Sequence, residues 1–257
     1  MSLFRLYRAQ PLSARRCGSG DFEKMSTIGI DEAGRGSVFG PLVIALVEVD
    51  SIHNKVFRKF GVTDSKLLTP ERRSSLADLI LNTDVYADIR QINPKEIDLV
   101  VGQKVQNLNW LEAELMAHLI YEFLSVTSRR PQIIIDCPDV ITSRFTNIVR
   151  LNLPLQKVRI KSEHHADLKY LPVSAASIIA KVQRDDAMDT LRLEYGNLGS
   201  GYPSDPITRE FLKNLLLEAH GDVSKLPEYV RKSWKTNKKL NPFTEKQLNT
   251  SLGNKLM

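Results

Sequence analysis

The stretch TIGIDEAGRGSVFGPLVIALVEVD, residues 27–50, decides the fold. Thr27–Asp31 reads as a short strand that enters a glycine-rich turn, and Pro41–Asp50 reads as the next strand, rich in Val, Ile and Leu. Gly34, Gly36 and Gly40 permit a tight turn and a close approach of backbone to a ligand. The turn is not a P-loop, because no Gly-Lys-Ser/Thr follows at the required spacing.

Outward from this stretch, strands alternate with helices. Thr69 can cap a helix that has Pro70 in its first position and runs to about Leu81. Val85–Ile92 alternates as a third strand. From Pro94 the pattern is helical through Trp110, Leu111, Leu115, Leu119 and Phe123, a stripe read as core. The run Ile133-Ile134-Ile135 inside Gln132–Asp136 suits a strand buried on both faces. Val140–Val149 then reads as helix, Leu155–Ile160 as strand and Pro172–Tyr195 as a long helix. That helix opens with Ser174, Ala175, Ala176 and Ser177, small enough for close packing. A loop at 199–206 precedes a helix at Ile207–Ala219. The order predicts an α/β fold with a mixed sheet flanked by helices.

The chain has 257 residues, 42% hydrophobic and 26% charged, which suits one large domain or one domain with a smaller appendage. No apolar run approaches the roughly 18 residues of a membrane span, so no membrane partner is expected. The net charge of +6 is unevenly spread. Residues 225–257 carry eight Lys/Arg against two Asp/Glu, and residues 1–25 carry five against two, which leaves an acidic body. That division suits carboxylates gathered for metal and basic groups gathered for a polyanion, although a basic tail alone is more simply a solvated one. Cys17 and Cys137 form neither a disulfide framework nor a metal spacing, and point to a reducing compartment. The expected organisation is a disordered leader at 1–24, a catalytic domain at 25–220 and a C-terminal extension at 221–257 whose last dozen residues are disordered. The Arg-rich leader reads as an upstream extension before Met25, with a mitochondrial transit peptide as the alternative to a cytoplasmic protein.

Hydrolysis of a phosphodiester at neutral pH requires a nucleophilic water and neutralisation of charge on the leaving oxygen. Paired Mg²⁺ or Mn²⁺ ions do both, and they need several carboxylates at one point. Asp31 and Glu32 end the first strand, Asp136 ends the Ile-rich strand, and Asp167 precedes the long helix. Strand ends in α/β sheets project such side chains into a crevice. Singly, each acid reads as a turn former or helix cap; together they form a candidate metal centre. Gly34, Arg35 and Gly36 can offer amide N–H groups and a guanidinium to a phosphate or a sugar hydroxyl. Lys66, in Asp64-Ser65-Lys66, can meet a phosphate as a point charge. Ser177, Lys181 and Arg184 share one helix face, which is equally a plain polar face. Tyr202 can stack on a sugar or base, or merely pack. His164 and His165 read as loop residues, since no Cys or spaced His supports zinc.

The ordered set IGIDEAGRGSVFGPLVIA (28–45), TDSKLLTPERR (63–73), IIIDCPD (133–139), HHADLKYLPVSAASIIAKVQRD (164–185), GSGYPSDP (199–206) and RKSWKT (231–236) resembles the ribonuclease HII family, in its archaeal and eukaryotic-like branch. The resemblance implies a ribonuclease-H-like fold with a helical C-terminal region. It implies an endonuclease acting on the RNA strand of RNA/DNA hybrids and on single ribonucleotides in duplex DNA. It casts Asp31, Glu32, Asp136 and Asp167 as metal-binding carboxylates, and Gly34, Arg35 and Gly36 as the loop that reads the ribose 2′-hydroxyl. Tyr202 becomes the residue that joins that recognition at the RNA–DNA junction, while Lys66, Ser174, Lys181 and Arg184 contact phosphate or support the site. Ser37 departs from the proline that many members carry, which predicts a less rigid loop. The chain is expected to act as a monomer, with accessory subunits left open. Two alternatives are another nuclease of the same fold and a catalytically silent nucleic-acid-binding subunit; intact acids argue against the second.

Overall fold

The computed structural model describes residues 26–101, 107–154 and 158–243; the leader, Cys17 and the last dozen residues lie outside them. The described residues fall into two compact units, those within 1–33, 43–91 and 108–183 and those within 34–42, 92–107 and 184–257.

The first unit is built on a five-stranded mixed sheet. β1, Thr27–Ala33, lies between β2, Leu42–Val49, which runs antiparallel to it, and β4, Gln132–Asp136, which runs parallel. β3, Ala87–Ile92, and β5, Arg159–Glu163, form the two edges. Ile133, Ile134 and Ile135 are all buried, as a strand with neighbours on both sides and both faces covered requires. The expected strand at Leu155–Ile160 shifts. Residues 155–157 lie outside the described set, and the strand occupies Arg159–Glu163, set by its parallel register with β4 from Gln132↔Arg159 to Asp136↔Glu163. An edge strand tolerates the charged residues that obscured it, since Arg159 and Lys161 face outward while Ile160 and Ser162 are buried.

Helix α2, Pro70–Leu81, starts as predicted, with the Thr69 hydroxyl accepting the Arg72 N–H. Helix α1, Ser51–Lys59, was not anticipated; Asp50 caps it by accepting the N–H groups of Ile52 and His53. The helical stretch after Pro94 is two helices, α3, Pro94–Val101, and α4, Leu108–Ser125. α4 buries Leu111, Leu115, Leu119 and Phe123 and packs on α5, Thr142–Leu151. A short helix α6, Ala166–Lys169, leads into the long α7, Leu171–Tyr195. Val43, Ala45 and Val47 of β2 share an apolar cluster with Phe57, Leu76 and Ile80, and with Ala175, Ala176 and Ile179 of α7.

The second unit contains α3, the C-terminal part of α7, α8, Pro206–Glu218, and α9, Lys235–Leu240, so the C-terminal region is helical as expected. Its core joins Val38 and Phe39 to Met188, Leu198, Leu212, Leu216, Tyr229 and Val230. Phe39 meets the rings of Phe211 and Tyr229 edge-on at 5.8 and 6.0 Å.

One contact in the first unit is unusually close. A Cβ placed on Gly29 of β1 would lie 2.1 Å from the carbonyl carbon of Pro172 and 2.2 Å from the nitrogen of Val173. The first turn of α7 therefore rests on the bare backbone of β1, and backbone cannot move aside as a side chain can. Gly29→Ala is expected to destabilise the protein by about 3 kcal/mol through overpacking. Denaturant unfolding measures this, and a midpoint equal to that of the parent chain would show that the contact yields.

Candidate functional site

The carboxylates converge because of the strand register. Ile30 of β1 pairs with Ile135 of β4, so the residues that follow them, Asp31 and Asp136, stand side by side; Asp136 ends β4 as expected, whereas β1 runs on past Asp31 and Glu32 to Ala33, held by its antiparallel pairing with β2. The third acid is brought in by a turn. His165, two residues after β5, adopts a left-handed conformation, φ 55°, and turns the chain into α6. The Ala166 N–H then donates to Asp136 Oδ1 at 2.8 Å, which fixes α6 against the end of β4 with Asp167 buried. Ligand oxygens of Asp31, Asp136 and Asp167 all lie within 4.8 Å of one another.

Three carboxylates this close disfavour full ionisation. The Asp31 carboxyl is pushed up to about 8, first by burial and then by the charge of Asp136, against hydrogen bonds from the Ser177 hydroxyl and the Glu32 N–H. Asp136 is also raised, chiefly by burial and also by Asp167, with the Ala166 N–H, Lys66 and His165 opposing. Lys66 Nζ donates to Asp167 Oδ2 at 3.0 Å; burial alone would lower the lysine, but that bond together with the charges of Asp167, Asp64 and Asp31 raises it. Asp167 Oδ1 is buried with no hydrogen-bond partner among the described residues. Hard oxygen donors in one buried cluster, one of them unsatisfied, fit a divalent cation such as Mg²⁺ or Mn²⁺.

The other residues singled out in the first unit take distinct places. Glu32 is half-buried and stands outside the trio, yet its charge acts on the Cys137 thiol, next in the chain to Asp136. Lys66 is carried on a 3-10 turn, Ser65–Leu67, capped by Asp64 and held by Arg73, whose Nη1 donates to the Ser65 carbonyl at 2.6 Å. Its side chain is largely exposed. Ser174 is buried, with its hydroxyl donating to the Asp167 carbonyl at 2.6 Å. Ser177 joins Ser65 at 3.0 Å between their hydroxyls and also serves Asp31, a contact that its helix-face position did not announce. Lys181 is half-buried one turn further along α7. His164 and His165 are exposed.

The second unit holds the glycine-rich loop. Gly34 has φ +84°, and a Cβ there would meet the Pro41 carbonyl oxygen at 2.6 Å, so both its conformation and its surroundings call for glycine. Gly36 is exposed, with open space around its Cα. The buried Arg231 guanidinium donates to the carbonyls of Gly34 at 2.7 Å, Arg35 at 2.8 Å and Gly40 at 3.1 Å, and lies 4.9 Å from the Trp234 ring. The motif RKSWKT marks this residue in the sequence, but nothing there linked it to a loop nearly two hundred residues earlier. Arg184 is buried, and its guanidinium carbon lies 4.9 Å from the ring centre of the half-buried Tyr202.

A mixed sheet with β1 antiparallel to β2 and parallel to β4, ending in clustered acids, belongs to the class of ribonuclease-H-like nucleases. The ribonuclease H2 of Pyrococcus horikoshii OT3 superposes with a TM-score of 0.70 at 39% identity, covering 84% of this chain and 97% of that one. Ribonuclease HII of Archaeoglobus fulgidus, solved in complex with PCNA, gives 0.71 at 36% identity over 86% and 98%. The family model of ribonuclease HII matches residues 28–237, and the chain belongs to that family. A relative named ribonuclease HII from Thermococcus sibiricus is 44% identical over 223 residues, 87% of this chain and 94% of its own length. The protein is thus a ribonuclease H, and among its described residues no helix is long and apolar enough to cross a membrane.

The raised Asp31 carboxyl sets a pH dependence. Its pKa rises on folding from 3.8 to about 8, so the stability it contributes is fully present below 3.8 and is lost as pH rises through about 8. A cation that binds the ionised trio competes with that proton. Mg²⁺ is therefore expected to raise Tm more at pH 8 than at pH 6, and to raise it less in Asp136→Asn. Thermal melts with and without Mg²⁺ measure both, and equal shifts at the two pH values would contradict the assignment.

Proposed function

We propose that the chain is an endonuclease that hydrolyses the RNA strand of RNA/DNA hybrids and incises duplex DNA on the 5′ side of single embedded ribonucleotides, leaving 3′-hydroxyl and 5′-phosphate ends. The observation that carries the reading is the buried trio Asp31, Asp136 and Asp167, with Asp167 Oδ1 unsatisfied. With Glu32, these residues would hold two divalent ions, Mg²⁺ or Mn²⁺, which supply activation of water and neutralisation of charge on the leaving oxygen. Ser177 and the Glu32 N–H orient Asp31, while the Ala166 N–H orients Asp136. Lys66 balances the charge of Asp167 and, being largely exposed, can also meet a phosphate. Lys181 and Ser174 support the same end of α7, and Arg184 supports Tyr202.

Phosphates do not distinguish RNA from DNA; the 2′-hydroxyl and the sugar shape do. In this reading the Gly34-Arg35-Gly36 loop reads that hydroxyl and Tyr202 takes the neighbouring sugar. Arg231 favours this use, because it occupies the carbonyls of Gly34 and Arg35 from within. Glycine at 36 is not demanded by packing, which fits a close approach by a ligand. Gly36→Val is accordingly expected to cut cleavage of ribonucleotide substrates at least tenfold with little change in Tm or in duplex affinity. Parallel losses of cleavage and binding would make the loop structural.

Water is the nucleophile here and the 2′-hydroxyl is not. The water oxygen bonds to phosphorus, the bond from phosphorus to the 3′-oxygen breaks, and the 3′-oxygen leaves to gain a proton. The phosphate thus stays on the downstream fragment, and no cyclic phosphate forms. The test is an end-labelled DNA duplex with one ribonucleotide beside an all-RNA/DNA hybrid. Both substrates should be cut to 3′-hydroxyl and 5′-phosphate ends, with Asp136→Asn at least a hundredfold slower. Products ending in 2′,3′-cyclic phosphate would reject the mechanism, and cleavage of the hybrid alone would reject the single-ribonucleotide specificity. We take the chain to act as a monomer in the cytoplasm during DNA replication and repair; the complex of the Archaeoglobus relative makes a PCNA-type clamp the partner to test.

A further inference from the structure

The buried hydroxyl of Ser37 lies at a junction of three segments of the second unit. Its Oγ is 2.6 Å from the Phe39 carbonyl oxygen and 2.9 Å from that of Gly201, and it accepts a hydrogen bond from Arg184 Nη2 at 3.1 Å. The single hydroxyl proton serves the two carbonyls, and a lone pair serves the arginine. Gly201 immediately precedes Tyr202, and its carbonyl also accepts the Val38 N–H at 2.7 Å. Arg184 Nη2 donates in addition to the Ser200 carbonyl, and the guanidinium stands 4.9 Å from the Tyr202 ring centre.

Arg184 is only 2% exposed, and its Nε is buried without a hydrogen-bond partner. A buried guanidinium with an unsatisfied donor depends heavily on the acceptors it does have. On Nη2 these are Ser37 Oγ and the Ser200 carbonyl. Without the Ser37 hydroxyl, Nη2 keeps one of its two acceptors and Gly201 loses one of its links to the glycine-rich loop. The backbone that leads into Tyr202 and the cation beside its ring are then both held by fewer bonds.

We propose that Ser37 is a positioning residue for Tyr202, acting through Arg184 and the Gly201 carbonyl, and that it thereby sets the preference of this enzyme for an isolated ribonucleotide. This deepens the reading above, since it rests on Tyr202 taking the sugar beside the ribonucleotide. A hybrid strand offers a 2′-hydroxyl at every position, so an ill-placed Tyr202 costs less there than at a single ribonucleotide.

The experiment compares kcat/KM of the full-length chain in Mg²⁺ on the single-ribonucleotide duplex and on the RNA/DNA hybrid for the parent, Ser37→Ala, Tyr202→Ala and the double variant. Ser37→Ala should lower the single-ribonucleotide value about tenfold, the scale of one lost hydrogen bond, and the hybrid value less. In the double variant it should add no further loss to that of Tyr202→Ala, because the two changes remove one interaction. Losses that multiply, or that fall equally on both substrates, would overturn the proposal while leaving the role of Tyr202 intact. A substrate ratio unchanged by Tyr202→Ala would overturn that role and the proposal with it. Should Ser37→Ala fail to fold, Ser37→Cys keeps the shape, weakens the hydrogen bonds and is judged by the same two comparisons.

Discussion

The seating of α7 on Gly29 is the contact on which the first unit depends. Pro172 and Val173 approach the β1 backbone to distances that leave no room for any side chain. Two residues beyond Gly29 stands Asp31, and one turn beyond Val173 stands Ser177, whose hydroxyl reaches that carboxylate. The same seat lets Ser174 donate back to the Asp167 carbonyl and so ties α6 to the start of α7. A larger residue at position 29 would lift the helix and separate acids that belong to different elements. The small residues at 174–177 serve the same purpose from the other side, with Ala175 and Ala176 fully buried in the cluster that joins α7 to β2.

Clustering acids has a cost that the fold carries openly. Burial and mutual repulsion raise Asp31 and Asp136, and the neighbours supply only partial relief: one lysine, one histidine, one serine and two backbone N–H groups. Natural proteins hold such uncompensated groups where chemistry needs them, at some expense in stability. The surrounding core bears that expense, since the three consecutive isoleucines of β4 and the apolar run of β2 are buried almost without exception.

The succession of strands along the chain and the acids near their ends are legible in the sequence because apolar periodicity and acids that follow apolar runs are local signals, whereas the order β3-β2-β1-β4-β5 in the sheet is not. Gln132–Asp136 and Pro70–Leu81 occur as read, and the family resemblance holds over nearly the same span as the matched residues 28–237. Local signals fail where pairing decides. β5 begins at Arg159 because its partner strand fixes its register, and α6 is too short for any period to show. α1 was missed although Asp50 was available as its cap. Ser37, read as a departure that loosens a loop, instead carries three side-chain hydrogen-bond contacts. Arg231 was equally out of reach, since its partners lie more than 190 positions away in the chain.

That separation bears on the order in which the molecule is completed. Every acid of the trio and every strand of the sheet precedes residue 184, so a growing chain can assemble its carboxylates early. The carbonyls of Gly34, Arg35 and Gly40 wait for a guanidinium that is synthesised more than 190 positions later, and closing so long a span carries an entropic cost and slows folding. The loop that would discriminate between sugars therefore sets after the acids are in place. A chain interrupted before residue 231 would carry its cluster of acids but leave that loop unfastened.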